Sequence, residues 1–83
     1  MKESPRIKLA IIKVVDIQLE SHDPPETYET FERLVAEGYT SIEAKELIGH
    51  VVIAEVVEVM NEGRSFDPER YASALRNLPD LPA

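Results

Sequence analysis

The longest helical signal in the chain is residues 40–63, which read TSIEAKELIGHVVIAEVVEVMNEG. Thr40 and Glu43 have the spacing of a capping box, in which each side chain accepts a hydrogen bond from the other residue's backbone N–H. Gly63 stands where a left-handed residue would end a helix. The stretch between these signals predicts a helix of about 22 residues, roughly 33 Å long. We expect this helix to be the central element of the fold.

Three more helices are predicted on either side of it. Ser4, Asp23 and Asp67 are candidate N-caps, and each is followed by a proline, which suits the first helical position because its missing N–H has no intrahelical partner there. Asp23 and Glu26 repeat the capping-box spacing, and Phe66 and Tyr71 have the spacing of a hydrophobic staple. The sequence therefore predicts an all-α, compact four-helix domain over residues 1–83. Its approximate helices are 5–20, 24–37, 41–62 and 68–78, with a loose tail over 79–83.

The first predicted helix has a competing interpretation as a strand. From Ile7 to Leu19 the odd positions are apolar except for Lys13, which is the alternation of a half-buried strand. Such a strand has no obvious hairpin partner in the chain, and an unpaired edge strand is a liability. We therefore predict a helix here, with the strand as the alternative.

Composition excludes several classes of function. The chain of 83 residues has 9 Lys and Arg against 16 Asp and Glu, a formal net charge of −7, and no cysteine. The acidic balance argues against nucleic acid or an anionic membrane as the main partner, and the absence of cysteine removes disulfides and thiolate chemistry. Lys13 and Asp16 interrupt the apolar stretch near the N-terminus, so neither a signal peptide nor a membrane span is predicted. We expect a cytoplasmic domain.

Apolar residues surround the first and third predicted helices on more than one side. A helix that is apolar all round must be covered all round, and two short amphipathic helices are a small cover for both. One interpretation is a tightly wrapped monomer, and the other is a homodimer that buries the surplus across a two-fold axis. Gly49 favours close packing, because glycine within a helix costs about 0.5–1 kcal/mol relative to alanine. The predicted dimer seam consists of Ile11, Val15, Gly49, Val52, Val56 and Val59.

The histidines offer the only candidates for a metal site. Glu46 and His50 are four residues apart and share a helix face with Glu43, and Asp16 could add a ligand from the first helix. Glu43 is already explained as the capping-box partner, and a Glu–His pair at this spacing is more often a surface pair. His22, next to Pro24 and Pro25, is predicted to be an exposed loop residue. No catalytic residue and no cofactor are indicated.

Acidic residues of the third predicted helix suggest another kind of partner. Glu55, Glu58 and Glu62 recur at i, i+3 and i+7, so they could form one acidic ridge. Such a ridge would face either solvent or a basic protein surface.

A family resemblance covers most of the chain, from about Ile7 to Leu78. It is carried by Ile17-Gln18-Leu19, Asp23-Pro24-Pro25-Glu26, Leu34, Gly38, Glu43-Ala44, Ile48-Gly49 and Phe66-Asp67-Pro68 with Tyr71. In these residues the chain resembles a family of small bacterial helical proteins of unknown function, and the stretch Gln-Leu-x-x-x-Asp-Pro-Pro-Glu is the most specific part. The resemblance implies an all-α fold and supplies no activity.

The same resemblance bears on the metal site. It implies histidines near Ile12 or Lys13 and near Ile42 and Glu46, where this chain has none. It therefore counts against a metal centre here. The sequence predicts a non-enzymatic interaction or oligomerisation domain that works as a homodimer. The alternative is a metal-binding or metal-dependent hydrolase-like domain that uses Glu46, His50 and Asp16.

Overall fold

The central helix has the ends that its capping signals predict. In the computed structural model, which describes residues 5–63 and 65–82, α3 spans Ser41–Glu62. Glu43 donates its backbone N–H to Thr40 Oγ1 at 3.1 Å, and Thr40 donates its own to Glu43 Oε1 at 2.9 Å, so the capping box is confirmed. Gly63 ends the helix at φ +64°, a left-handed conformation that glycine adopts without the steric cost of a Cβ.

The described residues form four helices and no strand, which confirms the all-α prediction. α1 spans Pro5–Ser21, α2 Pro25–Ala36 and α4 Pro68–Asn77. α3 packs against each of the other three, and α2 also contacts α1 and α4. The first segment is helical, so the strand alternative is wrong, and its predicted N-cap, Ser4, lies outside the described residues. After α4, Leu78 is buried and Asp80 donates its N–H to the carbonyl of Asn77, which closes a turn at the predicted tail.

The start of α2 corrects one predicted cap. The helix begins at Pro25, and its N-cap is Pro24, whose φ of −76° and ψ of 153° are extended. A residue that precedes proline is driven out of the helical region by a clash with the proline ring. Pro24 precedes Pro25 and therefore cannot be the first helical residue. The capping box of Asp23 with Glu26 is wrong for this reason, and no side chain caps α2.

The N-terminus of α4 is capped as expected. Asp67 Oδ1 accepts from the backbone N–H groups of Glu69 and Arg70 at 3.0 and 3.3 Å. The rings of Phe66 and Tyr71 meet at a centroid distance of 5.7 Å, so the hydrophobic staple is present. These contacts set the direction in which α4 returns along α3.

Three contacts show where α1 meets α3. Ile11 Cγ2 lies 3.0 Å from the position that a Cβ on Gly49 would occupy, so a side chain of α1 fills the space left by the glycine. Along α1, Lys8 precedes Ile11 and Asp16 follows it. Lys8 binds Glu46 and Asp16 binds Lys45, both at 2.7 Å. All three α3 residues belong to its first nine positions. These three contacts with α1 thus all lie in the N-terminal half of α3.

The interior is built on α3 and supported by all four helices. Its most deeply buried apolar side chains come from every element: Val15, Leu34, Ala44, Ile48, Val51, Leu75 and Leu78. Polar side chains are also buried, namely Thr27, Thr30 and Glu55. Gln18 Oε1 accepts hydrogen bonds from Thr27 Oγ1 at 2.7 Å and from the Tyr71 hydroxyl at 2.9 Å, so it joins α1, α2 and α4. Burial is the main cause that raises the pKa of Tyr71, which therefore stays a hydroxyl donor.

Candidate functional site

The predicted metal ligands do not converge. Glu46 is paired with Lys8 and Asp16 with Lys45, so a lysine ammonium neutralises each carboxylate. His50 is exposed on the outer side of α3. Across residues 5–63 and 65–82, no three His, Asp or Glu side chains are grouped so that they could hold a metal ion. α1 does pack against α3 as expected, but the α3 residue that Asp16 binds is Lys45 and not His50.

His22 is exposed, as predicted. It follows α1 with φ +53°, and its ring stacks on Tyr28 with a centroid distance of 4.0 Å. The Tyr28 hydroxyl donates to Glu32 Oε1 at 2.7 Å, and this hydrogen bond raises the pKa of Tyr28. The group is a surface cluster between the end of α1 and the start of α2.

The predicted dimer seam is divided between the interior and the surface. Val15 is fully buried, Gly49 is buried and Val52 is 8% exposed, and all three contribute to the core of the single chain. They cannot contact a second molecule in this conformation. Ile11 and Val59 are partly buried, and Val56 is 47% exposed. The glycine that suggested a close approach does mark one, but its neighbour is the Ile11 side chain of the same chain.

The predicted acidic ridge is also divided. Glu55 is only 7% exposed, and it accepts from Arg70 Nε at 3.0 Å and from Arg70 Nη2 at 2.8 Å. It also accepts from the Asp67 backbone N–H at 3.3 Å. The hydrogen bond to Arg70 lowers the pKa of Glu55, against the effect of burial. Glu55 therefore anchors α4 to α3, and the ridge is wrong as a continuous exposed surface.

One side of α3 remains open over its C-terminal half, and between His50 and Asn61 this side carries no Asp, Glu, Lys or Arg. We call it the α3 outer face, and it consists of His50, Ile53, Ala54, Val56, Val57, Met60 and Asn61. Glu46 lies on the same side one turn before His50 and is paired with Lys8. Val56 and Val57 are each 47% exposed and Met60 is 76% exposed. Ile53 and Ala54 are partly buried. The seam predicted from the sequence includes Val56 but neither Val57 nor Met60. The sequence pattern that could have identified this face is that none of its members between Gly49 and Glu62 is an Asp, Glu, Lys or Arg.

The carboxylates within this stretch lie on the other side of the helix. Glu55 points to Arg70, as described above, and Glu58 lies in the same direction. The pKa of Arg70 is raised first by its hydrogen bond to Glu55 and also by the nearby charge of Glu58. Glu55 and Glu58 thus lie toward α4, and the opposite side of this stretch carries no carboxylate.

A second apolar stripe lies on α1. Ile7, Ala10, Val14 and Ile17 recur at i, i+3, i+7 and i+10, and all four are exposed. This stripe differs from the α3 outer face because the exposed Lys13 lies beside it. A second α1 laid antiparallel along the stripe would bring Lys13 close to its own copy.

Comparisons with known proteins add no family and no fold relative. No protein-family model, no curated protein and no solved structure matches the chain. The resemblance to small bacterial helical proteins therefore stays a prediction. Among the described helices, none has both the length and the apolar character needed to cross a membrane.

Proposed function

We propose that the chain is a non-enzymatic protein-interaction domain and that the α3 outer face is its docking surface. The observation that carries the proposal is an exposed apolar face without charge on a chain whose net charge is −7. Contiguous exposed apolar residues of this kind mark interaction sites more often than isolated ones do.

The apolar area of this face can support binding of moderate strength. Fully burying a side chain such as Val or Met is worth about 1.5–3 kcal/mol. With Val56 and Val57 each 47% exposed and Met60 76% exposed, covering these three side chains would contribute about 3–5 kcal/mol. An equal contribution from the partner brings the total to about 6–10 kcal/mol, which exceeds only the lower part of an association cost of roughly 4–15 kcal/mol. The net free energy of binding is then at most about 6 kcal/mol, so we expect a dissociation constant of tens of micromolar or weaker.

The α1 stripe is a poorer candidate for the same role. It is flanked by Lys13, and Lys8 on the same helix is engaged with Glu46. A partner on this stripe would have to accommodate basic groups at its edge. The members of the α3 outer face include no Asp, Glu, Lys or Arg, and Glu58 at its edge lies toward Arg70.

A site-specific cross-linking experiment tests the proposal. A photo-reactive amino acid replaces Val57 on the α3 outer face, and in a matched variant it replaces Ile17 on α1, which is 59% exposed. Both full-length variants are irradiated in an extract of the cells that produce the protein. We expect defined adducts from position 57 and a much lower yield from position 17. Equal yields at the two positions would contradict the proposal.

A substitution makes the same test independent of the probe. Met60→Glu places a charge on the face while 76% of the side chain is already in water, so the fold should tolerate it. We expect it to suppress the adducts at position 57 while the helical circular dichroism spectrum stays unchanged. Adducts that persist in full with Glu at position 60 would show that the probe reports only random encounters.

A further inference from the structure

Resting on the proposed function above, we propose that the partner is a second copy of this chain. Its α3 outer face lies antiparallel across the first, with a two-fold axis between Val56 and Val57. The proposal concerns the face defined above and not the seam predicted from the sequence, of which Val15, Gly49 and Val52 are buried within one chain.

The order of the apolar residues on the face fits a two-fold axis. Ile53, Val56, Val57 and Met60 are separated by three, one and three positions, which is symmetric about the midpoint between the two valines. An antiparallel copy therefore brings Ile53 against Met60 of the second copy. Val56 and Val57 are about 100° apart around the helix, so each lies near its own copy, on opposite sides of the seam. A two-fold interface must be complementary to itself in this way, because the same patch is used on both molecules.

The distribution of charge favours the same partner. Two copies of a chain with net charge −7 repel each other, so a close contact between them is favoured where carboxylates are absent. The α3 outer face provides such a place, because Glu55 and Glu58 are turned toward Arg70. A basic partner would gain more from the carboxylates elsewhere on the surface than from this face. An uncharged face is matched by a second uncharged face.

The size of the face sets the strength of the dimer. It extends from His50 to Asn61, which is about 18 Å along the helix axis. Stable interfaces bury roughly 800 Å² on each partner, a substantial part of the 5826 Å² accessible to this chain. A seam of this length is at the small end of that range. We therefore expect reversible association, with the dimer populated at tens of micromolar.

The cysteine-free sequence allows a direct test by cross-linking of the purified full chain. Ile53→Cys and Met60→Cys are prepared separately, and each is treated with a short bis-maleimide, alone and as an equal mixture. In the antiparallel arrangement positions 53 and 60 face each other. Two copies of position 53 lie about 10 Å apart along the axis, and so do two copies of position 60. We expect the mixture to cross-link at least tenfold faster than either variant alone.

Two further variants complete the design. Val57→Cys lies beside the two-fold axis and should cross-link to its own copy at a rate similar to that of the mixture. Ser73→Cys is exposed on α4, away from the face, and reports random encounters. Adding Val57→Glu to the Met60→Cys chain should reduce the cross-linking of the mixture to the Ser73→Cys rate.

Several results would overturn the proposal. One is a mixture that reacts no faster than the Ser73→Cys control. Another is self-cross-linking of position 53 and of position 60 at the rate of the mixture, which indicates a parallel or unspecific contact. If the purified chain gives either of these results while position 57 still forms adducts in the cell extract, the second copy is refuted as the partner. The proposed interaction function is then unaffected. Failure in the purified chain and in the extract would refute both.

Discussion

Gly49 is the position at which a single methyl group tests the packing of α1 against α3. A Cβ added there would lie 3.0 Å from Ile11 Cγ2, which is closer than carbon atoms normally approach. Two effects oppose each other in Gly49→Ala. Alanine favours the helix by about 1 kcal/mol relative to glycine, whereas overpacking costs about 1–3 kcal/mol. Because Ile11 is only partly buried and can move, we expect an overpacking cost of about 2 kcal/mol, below the upper end of that range. After the gain in helix propensity this leaves a net destabilisation of about 1 kcal/mol.

The double variant separates these two effects. Ile11→Ala removes the Cγ2 atom that the new methyl group would meet. In this background Gly49→Ala should therefore stabilise the protein by about 0.5–1 kcal/mol, as it does in an unobstructed helix. The effect of Gly49→Ala on the free energy of unfolding thus changes sign between the two backgrounds. The coupling energy is about 1.5–2 kcal/mol, within the range for residues in contact.

Urea denaturation followed by the helical circular dichroism signal measures all four proteins. The total chain concentration is held constant, because self-association would add to the apparent stability. For a domain of this size a change of 1 kcal/mol also moves the melting temperature by about 4–8 °C. The reasoning is refuted if Gly49→Ala has the same effect in both backgrounds, since α1 would then not cross α3 at this glycine.

Two other predictions concern a helix cap and a buried carboxylate. Thr40→Ala should cost about 1 kcal/mol because it removes the capping box of α3, whereas Asp23→Ala should change stability by less than about 0.5 kcal/mol because Pro24 is the N-cap of α2. Equal losses in the two alanine variants would contradict this assignment, and chemical denaturation measures both. The second prediction concerns Glu55, whose pKa is held below its ordinary value of 4.5 by the hydrogen bond from Arg70. The unfolded chain then takes up the proton first, so the stability that Glu55 contributes is present above about pH 4.5 and is lost as pH falls through the lower folded-state pKa. Glu55→Gln should be less stable than the wild type at pH 7 and should lose less stability between pH 5 and pH 3. Urea denaturation midpoints measured across this pH range test the prediction. If the midpoints of both proteins change equally with pH, Glu55 does not titrate in this way.

Local signals account for most of the fold. Thr40 with Glu43, Asp67 with the Phe66–Tyr71 staple, and Gly63 act within one helical turn, so they can be read without knowledge of the rest of the chain. The one cap that failed was also local. In Asp23-Pro24-Pro25 two prolines compete for the first helical position, and the restriction on the residue before proline selects the second.

The candidate site was much less accessible from the sequence. Glu46 and Asp16 have reasonable spacing for ligands, yet each is paired with a lysine from the facing helix. Periodicity places Glu55 beside Glu58 and Glu62, but it contains no information about Arg70, which comes from another helix and draws Glu55 inward. These outcomes depend on partners that are distant in sequence.

The amino-acid sequence was sufficient to determine that there are four helices and, within one or two residues, where they begin and end, because caps, prolines and glycines act on their own neighbours. It was also sufficient to show that the first and third helices have more apolar surface than two short helices readily cover. Only the tertiary structure decided which part of that surface is interior. α1 contacts α3 at Gly49, where Ile11 fills the space of the missing side chain. Val15 and Val52 are buried, while Val56, Val57 and Met60 stay exposed. A helix that is apolar all round has no preferred face of its own, so the position of its neighbour selects one.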